Sequence, residues 1–128
     1  METKKYIKLH DLEVYKLARE LSKLGWKIYE PLNWQDKKIM GDQFIESTDS
    51  VGANIAEGYK RFHYLDKIKF YYNARASLAE CSDHWISLLI DRKKVQEPIC
   101  EEFRQTADKL SLKLNNFITA TYKSKDEQ

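Results

Sequence analysis

Apolar residues recur along this chain with a period near 3.6, in four long segments parted by short polar breaks, and the pattern predicts four helices. The first is expected over about residues 10–29. At about 100° per residue, Val14, Leu17, Leu21, Leu24 and Ile28 share one arc, with Ala18 and Gly25 at its edge. Glu30-Pro31 ends it, because proline pushes the residue before it out of the α region. The second helix is expected over about 35–56, with Met40, Phe44, Ser47, Thr48, Val51 and Ile55 inside and Gly58 placed to terminate it. The third, about 65–91, carries Ile68, Tyr71, Leu78, Trp85 and Leu89 along its centre, flanked by Phe70, Ala74, Ile86 and Leu88. That arc exceeds half the circumference, so this helix is expected to be covered on more than one side. The charged run Asp91-Arg92-Lys93-Lys94 makes the next turn, and Pro98 suits the first turn of a fourth helix, about 98–122. Its inner stripe is Ile99, Phe103, Ala107, Leu110, Leu114, Phe117 and Ile118, and the SKDEQ tail is expected to fray.

No alternation of period two survives a count, and no internal repeat is present. Helices of this length joined by loops of roughly five to eight residues fit an all-α fold, an antiparallel up-down-up-down four-helix bundle. The 128 residues are expected to form a single domain, 1–128.

Composition agrees with this reading and narrows the compartment. Hydrophobic residues make up 42% and charged residues 33%, enough for a core under a solvated surface. No apolar run approaches the roughly 20 residues of a membrane span. METKKYIKL has lysines without the apolar stretch of a secretory signal. Cys81 and Cys100 are then expected as reduced, buried thiols in a cytoplasmic protein. A net charge of +2 leans only weakly toward polyanionic partners.

Catalytic signatures are missing from the sequence. It has no HExxH, CxxC pair, P-loop or GxGxxG. Cys81 and His84 stand three apart on one helix, but His10 and His63 lie near helix ends. A bundle metal site needs carboxylates and histidines converging from several helices. The expectation is a non-enzyme without metal or cofactor.

Three groups of residues carry interaction chemistry instead. Ser47, Thr48, Gly52, Ala53 and Ala56 are small, and Gly41 lies on the same side of the helix as Gly52. Such residues pack a neighbouring backbone closely, either within the protomer or against another copy. Tyr15, Ser22, Trp26 and Tyr29 form a flank of the first helix apart from its core stripe, and aromatics of this kind are enriched at interfaces. Self-association through Tyr15, Trp26, Tyr29, Gly41, Gly52 and Ala56 is therefore expected. Residues 60–75 hold Lys60, Arg61, Lys67, Lys69 and Arg75 against Asp66, interleaved with Tyr59, Phe62, His63, Tyr64 and Tyr72. Basic and aromatic groups together can grip a single strand and stack its bases, so Lys60, Arg61, Lys67 and Lys69 are candidate phosphate contacts. The alternative is a solvated loop with core-facing aromatics. Arg75 lies within the broad apolar arc and needs a partner, with Glu57 the first candidate and Glu80 the second; otherwise its head snorkels to solvent.

The run Asn54-Ile55-Ala56-Glu57-Gly58, the following Lys60-Arg61, and Ala74-Arg75-Ala76-Ser77-Leu78-Ala79-Glu80 resemble signature blocks of the four-helix-bundle proteins encoded by bacterial 23S rRNA intervening sequences. The opening His10-Asp11-Leu12-Glu13-Val14-Tyr15-Lys16-Leu17-Ala18 is similar to that family's start, and the likeness spans roughly residues 8–120. The resemblance implies a barrel-like homopentamer. It also implies kinship with the accessory variability protein of diversity-generating retroelements, which binds nucleic acid and partners a reverse transcriptase. RNA is then the expected ligand and a reverse transcriptase a possible protein partner. The alternative is a protein–protein adaptor that binds no nucleic acid. One departure bears on this: the family's usual arginine pair is replaced by Ile45 and Glu46.

Overall fold

In a computed structural model, the described residues, 6–127, form four helices and no strand. Met1–Lys5, part of the METKKYIKL stretch read for an export signal, and Gln128 of the tail lie outside the described residues. Helix α1 is Glu13–Tyr29. It starts later than the periodicity alone places it, because Leu12 is extended (φ −73°, ψ 124°) and leaves His10 in a separate 3-10 turn, Leu9–Asp11. Helix α2 spans 34–59 as Trp34–Asp36, a π turn Lys37–Gly41, and Asp42–Tyr59. Asn33 caps it, its Oδ1 accepting from the Asp36 amide at 2.8 Å. Helix α3 spans 64–91 as Tyr64–Ala79, a π turn Glu80–Trp85, and Ile86–Asp91. Helix α4 is Glu97–Lys123, with Pro98 in its first turn. The tail does not simply fray: Ser124–Glu127 continues as a 3-10 turn.

Two expectations about these helices are corrected. Gly58 does not terminate α2, which runs on to Tyr59, and no glycine among the described residues has a positive φ. Gly58 is buried where α2 meets α3, and a Cβ there would lie 2.7 Å from Tyr71 Cε1 and 3.0 Å from the Lys67 carbonyl oxygen. Close approach, not chain reversal, is why glycine stands there. In α3 the π turn widens the helix and advances the inner register by one residue. Ile86 is therefore fully buried where a regular helix would have put Trp85, which is only half-buried.

The predicted stripes otherwise form the core. Val14, Leu17, Leu21, Leu24 and Ile28 of α1 pack with Phe44, Val51 and Ile55 of α2, Tyr71, Leu78 and Leu89 of α3, and Phe103, Leu110 and Leu114 of α4. Phe44 and Phe103 meet across the centre with ring centroids 5.2 Å apart. The main helix contacts join α1 to α2, α2 to α3, α3 to α4 and α4 back to α1. Both thiols are free and buried, and burial pushes the Cys81 thiol up to about 12. Among the described residues, no helix is long and apolar enough to cross a membrane. The expected all-α four-helix bundle is what the chain forms.

Candidate interaction surfaces

An open groove of about 820 Å³ runs along the α1–α2 face. Tyr15, Ala18 and Ser22 of α1 and Gly52, Ala53 and Ala56 of α2 line it, and Arg19, Glu20, Lys23 and Asp49 border it. The groove exists because small side chains recur at helical spacing on α2, so nothing fills the angle between the helices. Gly52 sits low in it, where a Cβ would meet Ala18 Cβ at 3.5 Å. The rim carries charges of both signs, Arg19 and Lys23 with Glu20 and Asp49.

The structure brings together only part of the predicted interface. Gly52 and Ala56 line the groove, and Trp26 is half exposed on the same helix face as Ser22. Tyr15 lines the end of the groove too, though only 9% exposed: it packs edge-on to His10, and Arg19 donates to its hydroxyl at 3.2 Å. Gly41 is a correction, since it is buried beneath Tyr29 and Leu32 and offers no outer surface. Tyr29 is half-buried and pinned, its hydroxyl donating to Asp42 Oδ1 at 2.6 Å. Sequence reasoning singled out Ala53 only as a small residue and missed Asp49 and Lys23 as rim. Their i, i+4 spacing to Ala53 and Arg19 was the available signal.

The basic cluster at the α2–α3 connection is largely committed within the protein. Glu57 accepts from Lys60 at 3.0 Å and from Arg61 at 2.6 Å, and the Lys60 hydrogen bond above all holds its carboxyl below the usual range. Arg61 also lies over the Phe70 ring, 4.9 Å from its centroid. Lys67 donates to the Tyr59 carbonyl at 2.8 Å, closing the C-terminus of α2, and burial lowers its pKa. Of the four candidate phosphate contacts, Lys69 alone is exposed without a described partner. Phe62 is 87% exposed rather than core-facing.

The Glu57–Arg75 pair is not formed. Glu57 is held by its own helix end, while Arg75 is exposed on the far side of α3 and reaches α4. Its guanidinium lies 4.7 Å from the Tyr72 ring centroid and donates to Asn115 Oδ1 at 3.3 Å. Arg75→Ala and Glu57→Ala are accordingly expected to lower the melting temperature independently, with the double variant showing the sum. A coupled loss in a double-mutant cycle would restore the pair.

The signature block has a structural account. Ile55 is fully buried, Gly58 lets α3 approach, Glu57 gathers Lys60 and Arg61, and Asn54 donates to the Ser50 carbonyl at 2.9 Å. Ile45 is buried against Gly25, whose added Cβ would meet Ile45 Cδ1 at 3.4 Å, and Glu46 is exposed. Among the described residues, no group of three or more His, Cys, Asp and Glu converges to hold a metal. Cys81 Sγ turns inward to the Leu78 carbonyl, whereas His84 is exposed beside Trp85.

The comparisons with known proteins agree with this architecture. No curated protein matches the chain. A crystal structure of a protein of unknown function from the S23 ribosomal protein family of Bacteroides thetaiotaomicron superposes with a TM-score of 0.75. It is 24% identical, and the match covers 82% of this chain and 97% of that one, a likeness of fold. The family model for the 23S rRNA-intervening sequence protein matches residues 10–116. With its four helices and its signature block at the α2–α3 approach, the chain belongs to the 23S rRNA-intervening sequence protein family.

Proposed function

We propose that this protein is a non-catalytic, self-associating module that assembles through its α1–α2 face and acts as an accessory binder of RNA. The observation that carries the assembly is the groove itself. A monomer has no need of an open floor of small residues on α2 beside a half-exposed tryptophan, and both suit close docking of a second copy. We assign a heterologous contact, which gives a ring where its rotation closes; a pentamer is the ring that the family resemblance implies. RNA as ligand rests on that resemblance and on the surplus of exposed bases. The end cluster of Lys60, Arg61 and Lys67 is not its main site, because those cations are already engaged. The adaptor reading, with a protein such as a reverse transcriptase as partner, uses the same assembled surface. The cytoplasm is the compartment we assign.

Light-scattering mass tests the assembly. Wild type at tens of micromolar is expected as a discrete oligomer, and Ala53→Glu as a monomer that still melts cooperatively. Ala53 is exposed on α2, so the substitution places a charge in the groove without entering the core. A wild type that is monomeric throughout would end this reading.

A further inference from the structure

The seam between α3 and α4 carries features that the assembly does not use. Residues 67–79 of α3 and 109–123 of α4 contain no Asp or Glu, yet they hold Lys67, Lys69, Arg75, Lys109, Lys113 and Lys123. Lys67 is spent on the Tyr59 carbonyl, and Lys113 reaches Glu13 of α1 at 3.6 Å. No described carboxylate pairs with Lys69 or Arg75. Between these cations lie two aromatic rings from different helices. Tyr72 and Tyr122 share a hydroxyl–hydroxyl hydrogen bond of 2.9 Å and stay 38% and 40% exposed. The Arg75 guanidinium is stacked on Tyr72 and held by Asn115, so its plane is fixed at the surface.

We propose that this seam is a binding site for single-stranded nucleic acid, with the Tyr72, Tyr122 and Arg75 planes receiving bases and Lys69 and Arg75 meeting phosphates. The chemistry selects this partner over others. A polyanion is favoured where bases stand without acids, and flat exposed π surfaces beside them add stacking that a folded acidic protein cannot use. A fixed guanidinium plane loses little entropy when a base stacks on it. The Asn115 amide, whose oxygen holds Arg75, keeps its N–H donors for a base edge or sugar. A duplex hides its bases and would gain only the charge contacts. The proposal rests on the RNA reading above and gives it a location.

The test is fluorescence anisotropy with a labelled 15-nucleotide single strand, as RNA and as DNA, and with the matching RNA duplex, at two salt concentrations. Wild type is expected to bind the single strands more tightly than the duplex. Tyr72→Ala is expected to weaken single-strand binding roughly tenfold, and Tyr72→Phe, which keeps the ring, hardly at all. Lys69→Gln with Arg75→Gln is expected to flatten the salt slope by about 1.4. Lys60→Gln with Arg61→Gln is expected to bind as wild type. If wild type binds and the seam variants bind equally well, the site is wrong and the RNA reading stands. No binding of any strand at low salt overturns both. Loss of the oligomer in the seam variants would show the seam to be a contact between copies, and would also overturn the site.

Discussion

Gly58→Ala is expected to destabilise this protein by about 2 kcal/mol, although alanine is the better helix former. The helical preference favours the variant by up to about 1 kcal/mol. Against it stands a new methyl group 2.7 Å from Tyr71 Cε1, 2.9 Å from Phe70 Cβ and 3.0 Å from the Lys67 carbonyl oxygen. None of the three is the free end of a flexible chain. Tyr71 is fully buried against Phe117 with ring centroids 4.9 Å apart, and its hydroxyl has no partner among the described residues. Relief therefore requires α3 to move away from α2, an overpacking cost of about 3 kcal/mol. Gly52→Ala is the control, because its Cβ would make only ordinary contacts at 3.5 Å and 3.9 Å. In the monomeric Ala53→Glu background, where no second copy meets the added Cβ, it is expected to be neutral or stabilising by up to about 1 kcal/mol. Urea unfolding of both variants checks the pair. Equal stabilities would show that helix crossing, as described, does not set the choice of glycine.

The larger loss is expected from Phe103→Ala, about 3–5 kcal/mol. Phe103 is fully buried on α4, faces Phe44 of α2, and lies 3.6 Å from where a Cβ on Gly25 of α1 would stand. Three helices thus close on one ring, and a void there cannot collapse by moving any one of them. Measured against a total stability of about 5–15 kcal/mol, the variant is expected to be close to unfolding at physiological temperature. Phe103→Leu, which keeps most of the volume, is expected to cost under about 1.5 kcal/mol. A Phe103→Ala variant within about 1 kcal/mol of wild type would mean that the bundle centre is not packed around this ring.

On the functions proposed above, the groove and the seam divide the surface between two kinds of work. The α1–α2 face is small-residued and nearly uncharged at its floor, which suits contact between copies. The α3–α4 seam is aromatic and without Asp or Glu over residues 67–79 and 109–123, which suits a polyanion. Assembly through the first would array copies of the second around a ring. Many weak strand contacts would then act as one through effective concentration.

The period of 3.6 was enough to place all four helices and nearly all of their inner faces, because burial on a helix repeats with a period that local sequence carries. Val14 to Ile28 on α1 and Met40 to Ile55 on α2 needed no tertiary knowledge. The resemblance blocks were legible for the same reason, as contiguous residues. What the sequence could not carry was anything set by two helices at once. The π turn that brings Ile86 rather than Trp85 inward answers to the packing of the whole bundle. Gly58 reads as a stop in one dimension and as a crossing point in three. Lys60 and Arg61 look like free cations until Glu57 folds back on them, and Gly41 looks like outer surface until Tyr29 and Leu32 cover it. The seam is the clearest case. Tyr72 and Tyr122 are fifty residues apart in sequence. Each alone is an ordinary exposed tyrosine, and only helix packing brings their hydroxyls together beside Arg75.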